Sequence, residues 1–150
     1  MDLFECMPFV VDDDDDFATL LGRAFRKAGV PDGNVRRFRD GEAALSALGT
    51  ISVRPPTVLT LDLELPGMSG LSVLKQIRTH ERLQDLPAFV LSGREDPLQV
   101  AEAYALRARG YWVKPQTLRE LQEIVQAITD FLRRSGRSPL PRCLPNPWMP

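Results

Sequence analysis

Short apolar runs alternate five times with stretches of helical periodicity, and this alternation restricts the chain to βαβ units around a parallel sheet. The runs fall at residues 8–11, 35–38, 57–61, 88–91 and 111–113. Between them, Phe17, Leu20, Leu21, Ala24, Phe25 and Ala28 share one helix face that Gly29 ends. Asp40 is placed to cap a short helix burying Ala44, Leu45 and Leu48, and Leu71, Leu74 and Ile77 mark a third. Asp96 and Pro97 read as cap and first residue of a fourth helix, with Ala101, Tyr104, Ala105 and Ala108 facing inward. A fifth opens with the capping box from Thr117 to Glu120 and carries Leu121, Val125, Ile128 and Leu132 to a stop near Gly136. Right-handed crossovers then favour an α/β doubly wound sheet in the order 2-1-3-4-5.

Carboxylates gather where such a sheet places its ligands. The first run ends on five aspartates, Asp12 to Asp16, and the third on a lone Asp62. If these runs are neighbouring parallel strands, Asp12, Asp13 and Asp62 share the crevice at the C-terminal ends of the strands. Two like charges about 4 Å apart repel by roughly 4 kcal/mol at an effective dielectric near 20, so a cation or bound protons must offset them. Mg2+ suits the site: it is small, prefers oxygen and is usually held by one or two carboxylates plus a phosphate. Asp14, Asp15 and Asp16 read instead as a solvated charge patch at a helix start.

Bulk properties narrow the function classes. At 150 residues the chain fits one domain, and its 43% hydrophobic and 26% charged content is that of a soluble protein. A net charge of −1 gives no general attraction to nucleic acid or anionic membrane. No run is long enough to span a bilayer and the N-terminus lacks a basic signal-peptide start, so a cytoplasmic protein is expected. Cys6 and Cys143 lack metal-ligand spacing and read as a reduced pair without a role. Five prolines from Pro139 onward imply an extended tail over residues 137–150.

The strings FVVDDD, RDGEAAL, LTLDLELPGMSGLSVLKQIR, FVLSG and GYWVKP, in this order and spacing, resemble the receiver domain of two-component response regulators over about residues 8 to 134. The resemblance implies a flavodoxin-like fold, a receiver domain over residues 8–136 and phosphorylation of Asp62 by a sensor histidine kinase. It makes Asp62 the phosphoacceptor and places Mg2+ on Asp12, Asp13, Asp62 and the backbone carbonyl of Glu64. Lys114 would offset charge on the phosphoryl oxygens, Ser92 would donate its hydroxyl to them, and Tyr111 would rotate inward behind Ser92. The face of helix four, strand five and helix five would then carry the output as a partner contact, with a homodimer as one candidate. Glu64 and Arg94 flank the path of attacking water and could pair as a gate.

Other readings compete. The sequence Asp62-Leu63-Glu64 superficially echoes the opening of haloacid-dehalogenase-type phosphohydrolases, but the second residue on is Glu64 and no cap insertion is present. A pseudo-receiver kept only for binding is disfavoured by the complete set Asp12, Asp13, Asp62, Ser92 and Lys114. Arg78-Thr79-His80-Glu81 faintly echoes a histidine-kinase phosphodonor box, yet no nucleotide-binding glycine motif follows, so His80 reads as a surface residue. Nothing after helix five is long enough for a DNA-binding output domain, so a phosphoacceptor signalling protein rather than an enzyme is expected. The spacer from His80 to Leu86 and the end of helix five resemble the small regulators paired with bacterial phytochromes.

Overall fold

The computed structural model describes residues 5–50, 57–134 and 140–149. In chain order these form β1 (Met7–Val11), α1 (Asp15–Lys27), a 3-10 turn (Asp32–Asn34), β2 (Arg36–Phe38), α2 (Gly41–Thr50), β3 (Thr57–Leu61), α3 (Gly70–Thr79), β4 (Ala88–Ser92), α4 (Pro97–Ala105), β5 (Gly110–Val113) and α5 (Leu118–Arg133). All strand pairs are parallel and the order is β2-β1-β3-β4-β5, the flavodoxin-like arrangement expected.

Side chains alternate across each strand, and that alternation divides the core into two layers. Phe9 and Val11, Leu59 and Leu61, Ala88 and Val90, and Tyr111 pack with α2, α3 and α4. Val10, Val58, Phe89, Leu91 and Trp112 face α1 and α5. Because helices cover both faces, the three central strands are apolar at nearly every position. Thr57, Thr60 and Ser92 are the buried polar exceptions, and the Thr60 hydroxyl donates to the Phe9 carbonyl of the adjacent strand.

Helix starts follow the sequence signals. Asp40 accepts the Ala43 amide (2.7 Å), Asp96 that of Leu98 (2.9 Å), and Thr117 that of Glu120 (3.2 Å). Pro97 occupies the first turn of α4. The inward face of α4 meets expectation in part: Tyr104 is buried, as is Ala108 just past the helix, while Ala105 is exposed and Val100 and Ala103 are buried instead. Alanines carry little directional information, so their spacing misplaces Ala105, whereas the bulkier Val100 and Tyr104 set the buried stripe. α5 ends at Arg133, and the expected stop at Gly136 lies outside the described residues.

Residues 140–149 have neither helix nor strand, as their prolines dictate, but they are not a free tail. Leu144 donates its amide to the Tyr111 carbonyl (2.8 Å), and the Trp112 indole donates to the Pro141 carbonyl (2.8 Å). β5 is an edge strand, so its outer side needs a cover that the sequence pattern alone did not reveal. The remaining tail residues, 137–139 and 150, lie outside the described residues.

Gly70 fixes α3 beneath the third strand end. A Cβ there would collide with the Asp62 carbonyl and the Leu63 backbone, whereas a Cβ on Gly93 meets nothing within 4 Å. Backbone cannot yield cheaply, so Gly70→Ala is expected to lose about 1–3 kcal/mol of stability, read as a lower urea midpoint. Gly93→Ala should unfold close to wild type.

Candidate functional site

Strand register assembles the acidic cluster. Val11 pairs with Leu61, so the next residue of each strand, Asp12 and Asp62, emerges side by side at the sheet's C-terminal edge. The Asp62 amide donates to the Val11 carbonyl (2.9 Å) and the Asp12 amide to that of Phe38 (3.0 Å), which extends the ladder through both residues. Their residual exposures are 2% for Asp12 and 4% for Asp62, so neither charge is dispersed by bulk water. Asp13 is exposed, yet one oxygen from each of the three carboxylates lies within 4.8 Å of the others.

Lys114 arrives from beyond β5 and reaches over the end of β4. Its Nζ lies 2.9 Å from Asp12 Oδ2 and 3.2 Å from Asp62 Oδ2, and its amide donates to the Ser92 carbonyl (2.7 Å). The ring of Phe17 sits 4.7 Å beneath the ammonium. Burial pushes the Asp12 carboxyl above its ordinary value, and the Asp62 charge adds to that push, against the Asp14 amide and Lys114. For Lys114 burial acts downward, but the hydrogen bonds and charges of Asp12 and Asp62 outweigh it and hold the ammonium above its ordinary value. These shifts are not those of a matched ion pair. One ammonium faces two carboxylates, so the cation is over-compensated and the acid under-compensated.

The donor set fits a hard divalent cation. Three carboxylates converge, one of them open to solvent, and each buried one has an oxygen already oriented by backbone: Asp12 Oδ1 accepts the Asp14 amide (2.9 Å) and Asp62 Oδ1 the Glu64 amide (3.1 Å).

Ser92 is fully buried at the end of β4, and its Oγ accepts the Arg94 amide (3.3 Å). Tyr111 is fully buried as well, its hydroxyl donating to the Arg94 carbonyl (3.0 Å). This bond ties the Tyr111 ring to the loop that follows Ser92. Arg94 Nε lies 3.6 Å from Glu64 Oε1, with both side chains about half exposed. His80 follows α3 and its Nδ1 accepts the Arg82 amide (3.1 Å), a local turn contact remote from the carboxylates.

Several supporting residues escaped the sequence reading. Asp14 caps α1 by accepting the Phe17 amide (3.1 Å), and Asp15 pairs with Arg37 (2.7 Å) and Arg39 (2.8 Å), so both are more than a solvated patch. Hydrogen bonding to Arg37 holds the Asp15 carboxyl below its ordinary value. The Arg37 guanidinium also donates to the Asp12 carbonyl (2.9 Å), anchoring the loop that carries Asp12. Only the basic triplet Arg36 to Arg39 facing an acidic run could have hinted at this.

The fold and site define a doubly wound signalling domain. A model of the response regulator receiver domain matches residues 9–126, and the chain belongs to that family. The probable methanogenesis regulatory protein FilR2 of Methanothrix harundinacea is 34% identical over 142 residues, covering 89% of this chain and 90% of FilR2. Among solved structures, the phosphorylated cyanobacterial phytochrome response regulator RcpA is similar with a TM-score of 0.77 and 29% identity, over 89% of this chain and 97% of that one. The Mn2+-bound response regulator Rcp1 is similar with a TM-score of 0.72 and 26% identity, over 89% of this chain and 98% of that one. Receiver domains are signalling proteins that take phosphoryl groups from histidine kinases and bind Mg2+ at an acidic cluster. The phosphohydrolase reading falls with this membership, and the exposed Glu64 side chain engages Arg94. Among the described residues no helix is long and apolar enough to cross a membrane.

Because Asp12 is buried beside Asp62 with one shared cation, replacing it by neutral Asn should raise the melting temperature of the metal-free protein. The amide oxygen of Asn can still accept the Asp14 amide. A folded-state pKa above the unfolded one means that wild type gains stability as pH falls and Asp12 protonates, so the advantage of Asp12→Asn should shrink at acid pH. Thermal melts across pH, without divalent cations, check both signs.

Proposed function

We propose that Asp62 is the phosphoacceptor of this receiver domain. The observation that supports it most directly is the position of Asp62 at the end of β3, nearly buried, with Lys114 Nζ at 3.2 Å and the Asp12 and Asp13 carboxylates beside it. In the transfer a carboxylate oxygen of Asp62 attacks the phosphorus of a kinase phosphohistidine. The O–P bond forms, the N–P bond breaks, and the imidazole leaves with the bonding pair and takes up a proton.

Asp12, Asp13, Asp62 and the Glu64 carbonyl would hold Mg2+, which when bound supplies positive charge to the transferring phosphoryl oxygens. Lys114 contributes a second positive charge already fixed at the site, so no rearrangement is needed when negative charge develops. Ser92 supplies its hydroxyl to the phosphoryl group, and Tyr111 backs it through Arg94. The source of the phosphoryl group is a sensor histidine kinase. The similarity to RcpA supports a kinase of the bacterial phytochrome class. Output passes through a partner contact on the face of α4, β5 and α5, with a homodimer among its forms.

Acetyl phosphate with magnesium should add one acid-stable, base-labile phosphoryl group to wild type and none to Asp62→Asn. Labelling that survives in Asp62→Asn would reassign the phosphoacceptor. Sedimentation of the same samples tests the homodimer, and an unchanged mass on labelling would restrict the output to a heterologous partner.

The Glu64 and Arg94 pair bears on signal lifetime. As an exposed pair it adds at most about 1 kcal/mol to stability, but it stands at the mouth of the site, where the position of water governs phosphoryl hydrolysis. Arg94→Ala is expected to speed loss of phosphate from Asp62, with a non-additive effect on adding Glu64→Ala. Radiolabel decay measures both, and equal decay rates in wild type and the single variants would remove the gate.

A further inference from the structure

The outer edge of β5 is occupied by the chain's own C-terminal segment, and the contacts touch every element of the face that the proposed function assigns to output. Leu144 donates its amide to the Tyr111 carbonyl of β5 (2.8 Å) and accepts the Tyr104 hydroxyl of α4 on its own carbonyl (2.5 Å). Trp148 donates its indole N–H to the Ala101 carbonyl of α4 (2.7 Å). Arg142 pairs with Glu123 of α5 (3.1 Å). Leu140 packs in the layer of α1 and α5, whereas Leu144 packs in the layer of α2 to α4, so the segment crosses the sheet edge from one layer to the other.

Its hold is built for release. The anchor side chain Trp148 is 62% exposed, and its neighbour Met149 is 69% exposed. Segments with few buried apolar contacts and solvent-reached hydrogen bonds open at the low end of a protein's stability range. Tyr111 also connects this segment to the phosphorylation site. Its carbonyl holds Leu144, its hydroxyl donates to the Arg94 carbonyl, and the Arg94 amide donates to Ser92 Oγ. A phosphoryl group that engages the Ser92 hydroxyl acts on one end of this chain of contacts, with the tail at the other.

We propose that residues 140–149 are an intramolecular latch, which occupies the β5 edge and α4 in the resting protein and leaves when Asp62 carries a phosphoryl group. The output face is then covered at rest and exposed in the signalling state. This rests on Asp62 being the phosphoacceptor.

Cys143 reports the latch. Its Sγ lies 3.2 Å from the Tyr104 hydroxyl and 3.4 Å from the Tyr111 amide. Cys6 is fully buried, with burial pushing its thiol up to about 11, so alkylation of the full chain reads Cys143 first. Alkylation is followed with and without beryllofluoride and magnesium, and fluorine NMR measures beryllofluoride bound at Asp62. Cys143 should be modified at least about fivefold faster with beryllofluoride bound, and hydrogen exchange at the Leu144 amide should accelerate in parallel. Leu144→Pro, which removes the donor to Tyr111, should react at the fast rate without beryllofluoride and bind it about fivefold more tightly, since coupling between two sites is reciprocal. Bound beryllofluoride with unchanged Cys143 and Leu144 rates overturns the latch while leaving the phosphoacceptor assignment intact. Unchanged beryllofluoride affinity in Leu144→Pro also overturns it. Failure of beryllofluoride to bind wild type overturns the assignment and the latch together.

Discussion

The shortage of positive charge between Asp12 and Asp62 governs the rest of the site. Two nearly buried carboxylates emerge from adjacent strands, and a single ammonium at 2.9 and 3.2 Å is shared between them. Burying a charge is unfavourable unless it is paired and hydrogen-bonded, and here the pairing is incomplete. The deficit makes a further cation favourable. Lys114 can serve both acids only because β5 lies beyond β4 and the small Ser92 ends the strand between them. Strand order is therefore an electrostatic requirement as much as a topological one.

Backbone contacts hold this frustrated centre in place. Amides of Asp14 and Glu64 orient one oxygen of each buried carboxylate, and Arg37 fixes the Asp12 carbonyl from β2. Gly70 lets α3 approach the Asp62 carbonyl more closely than any side chain would allow. Flexible groups would let the two acids separate and relieve their repulsion, so rigidity at the strand ends is what preserves the demand for a cation.

The sheet order, the caps Asp40, Asp96 and Thr117, and the carboxylate cluster were legible because each depends on local pattern: apolar runs, capping residues and strand-end aspartates. Features set by long-range packing were not. Phe17 reads as one core residue of α1, and nothing local marks it as the platform beneath Lys114. On α4 Tyr104 is buried as its spacing implies, but Ala105 is exposed and Val100 buried, because small alanines fit more than one helical stripe. The tail's prolines correctly exclude helix and strand, but composition cannot say that an extended segment lies against β5. That information resides in the sheet order, which leaves the β5 edge in need of a cover.

Tyr111 is held at two points, and this has a mechanical consequence. Its ring is fully buried with the hydroxyl donating to the Arg94 carbonyl, and its own carbonyl accepts the Leu144 amide. A ligand can shift an equilibrium only by its differential affinity for the two states. One residue whose side chain is tied to the loop after β4 and whose main chain is tied to the C-terminal segment makes those two parts of the molecule share a single fastening, so slack introduced at either one is transmitted to the other.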